Sequence, residues 1–182
     1  MRKQYLSAPL PFQGQKRMFA KEYIKVLQQF PDNTTFVDLF GGSGLLSHIA
    51  KYQKPNATVV YNDFDGYQYR LEHIPQTNEL LTRLRGVVSV PRHKPILGKE
   101  REQVLSLIRE HECLYGYVDY ITLSSSLLFS MKYATSYEDL EKETLYNNIK
   151  ATNYLLCSDY LDGLTITSCD YKEVFNSYKD TP

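Results

Sequence analysis

The apolar positions of this chain change period several times. Short β-branched and aromatic runs at residues 35–39 and 58–61 read as strands. Between them Gly41, Gly42 and Gly44 open an apolar segment of helical period that starts at Leu45. Ahead of the first run, Phe19, Tyr23, Leu27 and Phe30 recur at helical spacing. They predict a helix over residues 16–29 with those four side chains forming a buried stripe. Further helical patterns occupy residues 78–85, 99–112 and 137–160. Ser136-Tyr137-Glu138-Asp139 starts the last of these like a capping box, and Gly163 is its expected stop. Another short run, Leu164 to Ser168, ends at Cys169-Asp170-Tyr171.

Strands alternating with helices predict an α/β fold with a parallel sheet. The stretch 67–162 is too long for a simple crossover, which needs one helix and short loops. It reads as a helical inserted subdomain whose final helix returns the chain to the sheet. The expected organisation is a core of residues 1–66 and 163–182 with an insert of residues 67–162.

Composition adds little to that picture. The 182 residues are 42% hydrophobic and 23% charged, ordinary for a folded domain. No long apolar run or signal-peptide pattern occurs, and the three cysteines are scattered, so the chain reads as cytoplasmic with reduced thiols. Its four histidines show no metal-ligand spacing. Charge is balanced at 21 basic and 21 acidic side chains, yet unevenly placed. Arg2, Lys3, Lys16, Arg17, Lys21 and Lys25 face only Glu22. Arg83, Arg85, Arg92, His93, Lys94 and Lys99 form a second basic run. Such clusters suit the phosphates of duplex DNA, or are solvated faces. Tyr117 and Ser125 lie in aromatic and small polar stretches, 115–120 and 124–130, of the kind that contacts phosphates or an extruded base.

The most informative chemistry surrounds the glycines. Glycine allows a sharp turn and close approach to a ligand, and a strand–glycine–helix unit sets that ligand at the carboxyl end of a parallel sheet. Asp38, just ahead of the turn, would repel a pyrophosphate but suits the ammonium and sulfonium of S-adenosylmethionine. Asp63, at the tip of the second strand, is placed to accept from ribose hydroxyls. The competing reading is a plain tight turn, with Asp63 capping the next helix. Upstream, Ala8 to Lys16 is an extended, proline-stiffened lead-in. A lysine at position 16 opposes the dipole of the helix it opens, so its charge has another use.

Phe12-Gln13-Gly14-Gln15-Lys16, Asp38-Leu39-Phe40-Gly41-Gly42-Ser43-Gly44, Asn62-Asp63-Phe64-Asp65 and Leu164 to Tyr171 together resemble the Dam-like DNA adenine-N6 methyltransferases. The likeness spans most of the chain. It implies a Rossmann-like three-layer core with a target-recognition insert, and S-adenosylmethionine as cofactor. It implies a cofactor set of Phe12, Lys16, Asp38, Phe40, Gly41, Gly42, Gly44, Asp63, Asp170 and Tyr171. Phe12 and Gln15 stand where the family commonly has tryptophan and a second glycine.

The family's catalytic Asp/Asn-Pro-Pro-Tyr/Phe motif is missing, and no Pro-Pro dipeptide occurs in the sequence. That motif localises the lone pair of the adenine amine and stacks on the flipped base. The expectation is therefore a core incomplete at its carboxyl end, with no catalytic residue in this chain and no methyl transfer by it alone. An incomplete sheet would leave the first-strand edge open to a second copy or a complementary carboxyl-terminal segment. Two alternatives remain. One is a noncatalytic remnant or a subunit of a split methyltransferase; the other is a different nucleotide-binding enzyme.

Overall fold

Three strands, β1 (Thr35–Asp38), β2 (Thr58–Asn62) and β3 (Thr165–Thr167), form a parallel sheet in the order β1-β2-β3. The computed structural model describes residues 3–14, 16–129 and 131–180; Arg2 and Gln15, named above, lie outside them. Phe36 of β1 stands beside Val59, and Asn62 of β2 beside Thr167. By internal contacts the chain divides into two units, Met1–Glu72 with Cys157–Pro182, and His73–Leu156.

The sheet belongs to the first unit, with α1 (Ala20–Leu27), α2 (Leu45–Gln53), α3 (Tyr67–Glu72) and α8 (Tyr171–Tyr178). One core holds Ala20, Leu27, Leu45, Ile49, Ala50, Ala57 and Val59, with Tyr23, Ile24 and Phe36 packed against it. The helix expected from residue 16 begins instead as a 3-10 turn at Lys16–Phe19 and becomes α-helical at Ala20. This resets the buried face to Ala20, Tyr23, Ile24 and Leu27. Phe19 is 66% exposed, while Phe30 lies beyond the helix and sets its ring on Phe36 at 5.7 Å. The predicted stripe is thus half right. Among the described residues β1 pairs only with β2, so its outer edge meets no strand.

The second unit is helical: α4 (Ile74–Val87), α5 (Gly98–Tyr115), α6 (Tyr120–Leu127) and α7 (Tyr137–Glu141) surround a core rich in Leu80, Leu84, Val104, Ile108, Leu123 and Leu140. Ser136 does cap α7, its hydroxyl accepting from the Asp139 amide at 3.2 Å. The long helix expected to Tyr160 does not form. After Glu141 the backbone finds distant partners: Tyr146, Asn147 and Asn148 donate to Leu127, Lys94 and Ser126 carbonyls. The Asn147 and Asn148 side chains donate to Val90 and Leu128 carbonyls, and such bonds compete with helix. Gly163, the expected stop, has a positive φ of 69° but sits in the turn leading to β3.

Of the two stretches read as DNA contacts, Tyr120 and Ser124 to Leu127 lie in helix α6. Asp119 starts it by accepting from the Thr122 amide at 2.9 Å and hydroxyl at 2.7 Å. The Ser124 and Ser126 hydroxyls turn back onto the carbonyls of Tyr120 and Thr122, which lets serines lie buried in a helix. Among the described residues no helix is long and apolar enough to cross a membrane.

Candidate cofactor site

A cavity of about 460 Å³ opens at the carboxyl ends of the strands, within the size range of small-molecule sites. Its lining comes from the lead-in (Phe12, Gln13, Gly14, Lys16), the glycine turn (Leu39 to Ser43), the β2 tip and the start of α8. The glycine turn must pass close over β2. A Cβ on Gly41 would stand 2.2 Å from the Tyr61 ring and 2.8 Å from the Asn62 carbonyl oxygen. Gly44 starts α2 with φ 69°, and a Cβ there would stand 3.0 Å from Leu161. Neither position accepts a side chain without displacing backbone or core.

The turn is held from behind. Tyr61 Oη donates to the Gly42 carbonyl at 2.7 Å, and Tyr160 Oη to the Ser43 carbonyl at 2.9 Å. Burial, reinforced at Tyr61 by neighbouring Asp63, pushes both phenols far above their ordinary range, so they remain protonated donors. Lys16 Nζ donates to the Phe40 carbonyl at 2.8 Å and lies 4.0 Å from Asp38 Oδ1. The lead-in is fixed by Tyr67, whose hydroxyl meets both backbone groups of Leu10, and by Arg70, which donates to the Pro11 carbonyl at 2.7 Å.

Phe12, Lys16, Phe40, Gly41, Gly42, Asp170 and Tyr171, of the residues expected to hold a cofactor, line this cavity. Asp38, Gly44 and Asp63 do not. Asp38 accepts from Ser47 Oγ at 2.8 Å and borders a smaller depression of about 240 Å³ with Tyr23, Phe36 and Val59. Asp63 is buried; its oxygens accept from the Tyr67 amide at 2.6 Å and the Gln68 amide at 2.8 Å, and Oδ1, 2.9 Å from Tyr61 Oη, shares that hydroxyl's one proton with the Gly42 carbonyl. That is the helix-capping arrangement, which holds the start of α3. The acid at this strand tip that lines the cavity is Asp65, two residues on, and exposed.

Sequence reasoning passed over Asn62, Phe64 and Asp65 as lining residues. The two residues after the buried Asp63, Phe64 and Asp65, are both exposed, while Asn62 reaches the lining from the buried strand end. Phe40 and Phe64 are 65% and 69% exposed, unusual for phenylalanine, and Phe40 lies 5.1 Å from the Tyr171 ring. The cavity thus presents aromatic faces, two exposed carboxylates (Asp65 and Asp170), one ammonium and a turn that admits backbone contact. Among the described residues no group of three or more His, Cys, Asp or Glu could hold a metal ion.

The proposed nucleic-acid residues lie in the helical unit and fall into two groups. Arg83 pairs with Glu110 at 2.8 Å, and Arg85 donates to the Lys150 carbonyl at 3.0 Å and to Asn153. Tyr117 packs on the His73 ring at 4.5 Å, and the Ser125 hydroxyl bonds back to Thr122. Arg92, Lys94 and Lys99 are exposed and make no ion pair or side-chain hydrogen bond among the described residues. Arg92 and Lys94 flank His93, whose φ is 65°, in a turn closed by the Lys94 amide on the Pro91 carbonyl at 3.1 Å.

A Haemophilus influenzae (strain ATCC 51907 / DSM 11121 / KW20 / Rd) protein named "Putative methyltransferase" is similar to this chain, 39% identical over 187 aligned residues. The alignment covers 98% of this chain, which spans 62% of the length of that curated relative. No family model and no solved structure matches.

Proposed function

We propose that this chain is the S-adenosylmethionine-binding part of a DNA adenine-N6 methyltransferase with a Rossmann-like core. The observation that carries the reading is the cavity itself, where glycine turn, strand-tip acid and aromatic faces meet at the carboxyl ends of parallel strands. The similarity to a protein named as a methyltransferase supports the class of activity. The motif resemblance supports adenine in DNA as the acceptor.

The lining fits the cofactor. Gly42 leaves a cradle that a Cβ would fill, 3.0 Å from the Phe12 ring. The Asp65 carboxylate suits ribose hydroxyls, with Asp63 fixing the turn that carries it. Phe40, Phe64 and Tyr171 offer faces for the adenine, and Asp170 suits its amine. Lys16 supplies positive charge toward the methionine carboxylate, and Asp38 holds that lysine in place. When bound, the cofactor would supply an electrophilic methyl group. These residues bind and orient it; an acceptor adenine must be held by groups such as the Asp/Asn-Pro-Pro-Tyr element, which this stretch does not contain.

In the helical unit, Arg92, Lys94 and Lys99 are proposed to neutralise DNA phosphates, with Arg83 and Arg85 spent on holding α4. The outer edge of β1 is the proposed place for a complementary strand. A thermal-shift panel tests the cofactor assignment. S-adenosylmethionine and S-adenosylhomocysteine should raise the melting temperature, and NAD and ATP should not. Stabilisation by NAD or ATP instead would favour the nucleotide-binding alternative.

A further inference from the structure

His48 stands behind the cavity and joins two of its walls. It lies in α2, fully buried, and its two ring nitrogens meet different backbone groups. Nε2 is 3.0 Å from the Tyr5 amide nitrogen, which can only donate. Nδ1 is 2.7 Å from the Tyr160 carbonyl oxygen, which can only accept. Together these contacts define a neutral ring with its proton on Nδ1. Tyr5 stands three residues ahead of the lead-in, which runs through Leu10 and Pro11 and delivers Phe12 and Gln13 to the lining. Tyr160 holds the glycine turn through the Ser43 carbonyl. Its ring stacks on His48 at 5.0 Å and 10°, with Tyr5 edge-on to both.

We infer that His48 is a positioning residue for this cavity: neutral, it fastens the lead-in and the glycine turn to one helix, and protonated, it releases the lead-in. The inference rests on reading the cavity as an S-adenosylmethionine site. A proton on Nε2 would face the Tyr5 N–H, donor against donor, so the ring charges only as the lead-in departs. Tyr5, Tyr52 and Tyr160 are aromatic neighbours of the ring among the described residues. Beyond them, Tyr5 Oη donates to Asp159 at 2.8 Å, and Cys157 and Lys3 lie within electrostatic reach of that pair. Burial holds the Tyr5 phenol up at about 12 and the Cys157 thiol at about 11, while the Tyr5 hydrogen bond holds Asp159 below the usual carboxylate range. Tyr5 and Cys157 therefore stay neutral and Asp159 anionic across the range where imidazole charges, about pH 5 to 8. The closed arrangement excludes a proton that the open one accepts. Closure is thus favoured at high pH and lost as pH falls.

The test uses the whole chain at about pH 8 and about pH 5.5, the two sides of imidazole titration. Amide exchange across residues 5–13, corrected for intrinsic rates, reads the lead-in without ligand; calorimetry with S-adenosylmethionine reads the cavity. In the unmodified chain, lead-in protection should fall roughly three- to tenfold on acidification, the scale of one hydrogen bond, and affinity should fall with it. His48→Gln, whose side-chain oxygen can still accept from Tyr5, should keep both nearly constant with pH. Tyr5→Pro, which lacks the amide donor, should be loose at both pH values, whereas Tyr5→Ala should retain the pH dependence. This pair decides the matter even where a His48 variant fails to fold. Lead-in protection that ignores pH, a pH dependence that survives in His48→Gln, or affinity indifferent to the lead-in would overturn the proposal. Expected exchange behaviour with no S-adenosylmethionine binding at either pH would sink the cofactor reading, while leaving His48 as the lead-in anchor.

Discussion

The Asn62 side chain grips Cys169 in both directions: its Nδ2 donates to the Cys169 carbonyl at 2.9 Å, and its Oδ1 accepts from the Cys169 amide at 3.2 Å. The same amide group donates to the Leu39 carbonyl at 3.1 Å and accepts from Thr167 Oγ1 at 3.2 Å. One buried side chain therefore ties together the ends of β1, β2 and β3, where the cavity opens. Asn62→Ala would leave these backbone groups unsatisfied, at a cost of about 1–3 kcal/mol. Calorimetric melting should show the transition lowered by roughly 3–10 °C. An unchanged melting temperature would mean that the strand ends are held by other contacts.

Gly41→Ala should be worse than its single methyl suggests. The added Cβ would meet the Tyr61 ring at 2.2 Å and the Asn62 carbonyl at 2.8 Å, so sheet and turn must separate. Overpacking of this kind costs about 1–3 kcal/mol. Denaturant unfolding should show a lower midpoint together with weaker cofactor binding. A stable, binding-competent variant would show that the turn has room to move.

Asp63 and Asp65 should separate cleanly. Asp63→Asn removes a charge that accepts two backbone amides at the start of α3, and should cost about 1–2 kcal/mol of stability. Asp65→Asn should leave stability unchanged and weaken S-adenosylmethionine binding roughly tenfold or more, the scale of hydrogen bonds to a charged group. The reverse pattern in paired melting and titration experiments would return the ribose to Asp63.

The local features near the cavity were legible in the sequence because each is fixed within a few residues. The strand–glycine turn–helix unit from Thr35 to Gln53 and the Thr58–Asn62 strand follow from composition and period alone. Helices α4 and α5 followed from period as well. What sequence could not show was where backbone donors go when they leave the local ladder. Residues 142–156 looked helical, but their partners lie on Leu127, Ser126, Lys94 and Asn78. Ser124 to Ser126 looked like donors for a nucleic acid, but in α6 the Ser124 and Ser126 hydroxyls are satisfied on the helix's own carbonyls. Asp63 had two chemically equal uses, and only the positions of the Tyr67 and Gln68 amides favoured capping.

Acid should weaken the helical unit through His111. This histidine is buried against Tyr115, ring to ring at 4.6 Å, and burial lowers its pKa below the ordinary histidine value. The unfolded chain therefore binds a proton that the folded one resists. Its contribution is intact above about pH 6.5 and declines as pH falls through that value toward the lowered one. His111→Phe should flatten the pH dependence of exchange protection in α4 and α5. An equally steep dependence in that variant would assign the acid sensitivity to another group.

DNA affinity, if it resides in the Pro91–Lys94 turn, should fall steeply with salt and vary little with sequence. Replacing Arg92 and Lys94 together by alanine should reduce the salt slope by about two. Arg83→Ala should leave it unchanged, because that guanidinium is paired with Glu110. Fluorescence anisotropy with a labelled duplex over a salt series measures the slopes. Equal slopes in the unmodified and doubly substituted chains would remove this turn from the interface.

A cofactor cavity built from the lead-in, the glycine turn, the tip of β2 and the start of α8 is tested most directly by isothermal titration of S-adenosylmethionine into the 182-residue chain. Saturable one-to-one binding is expected, displaced by S-adenosylhomocysteine and strongly weakened by Tyr171→Ala, with no comparable heat from NAD or ATP. A folded chain that binds none of them, or that binds NAD or ATP as well as S-adenosylmethionine, would contradict it.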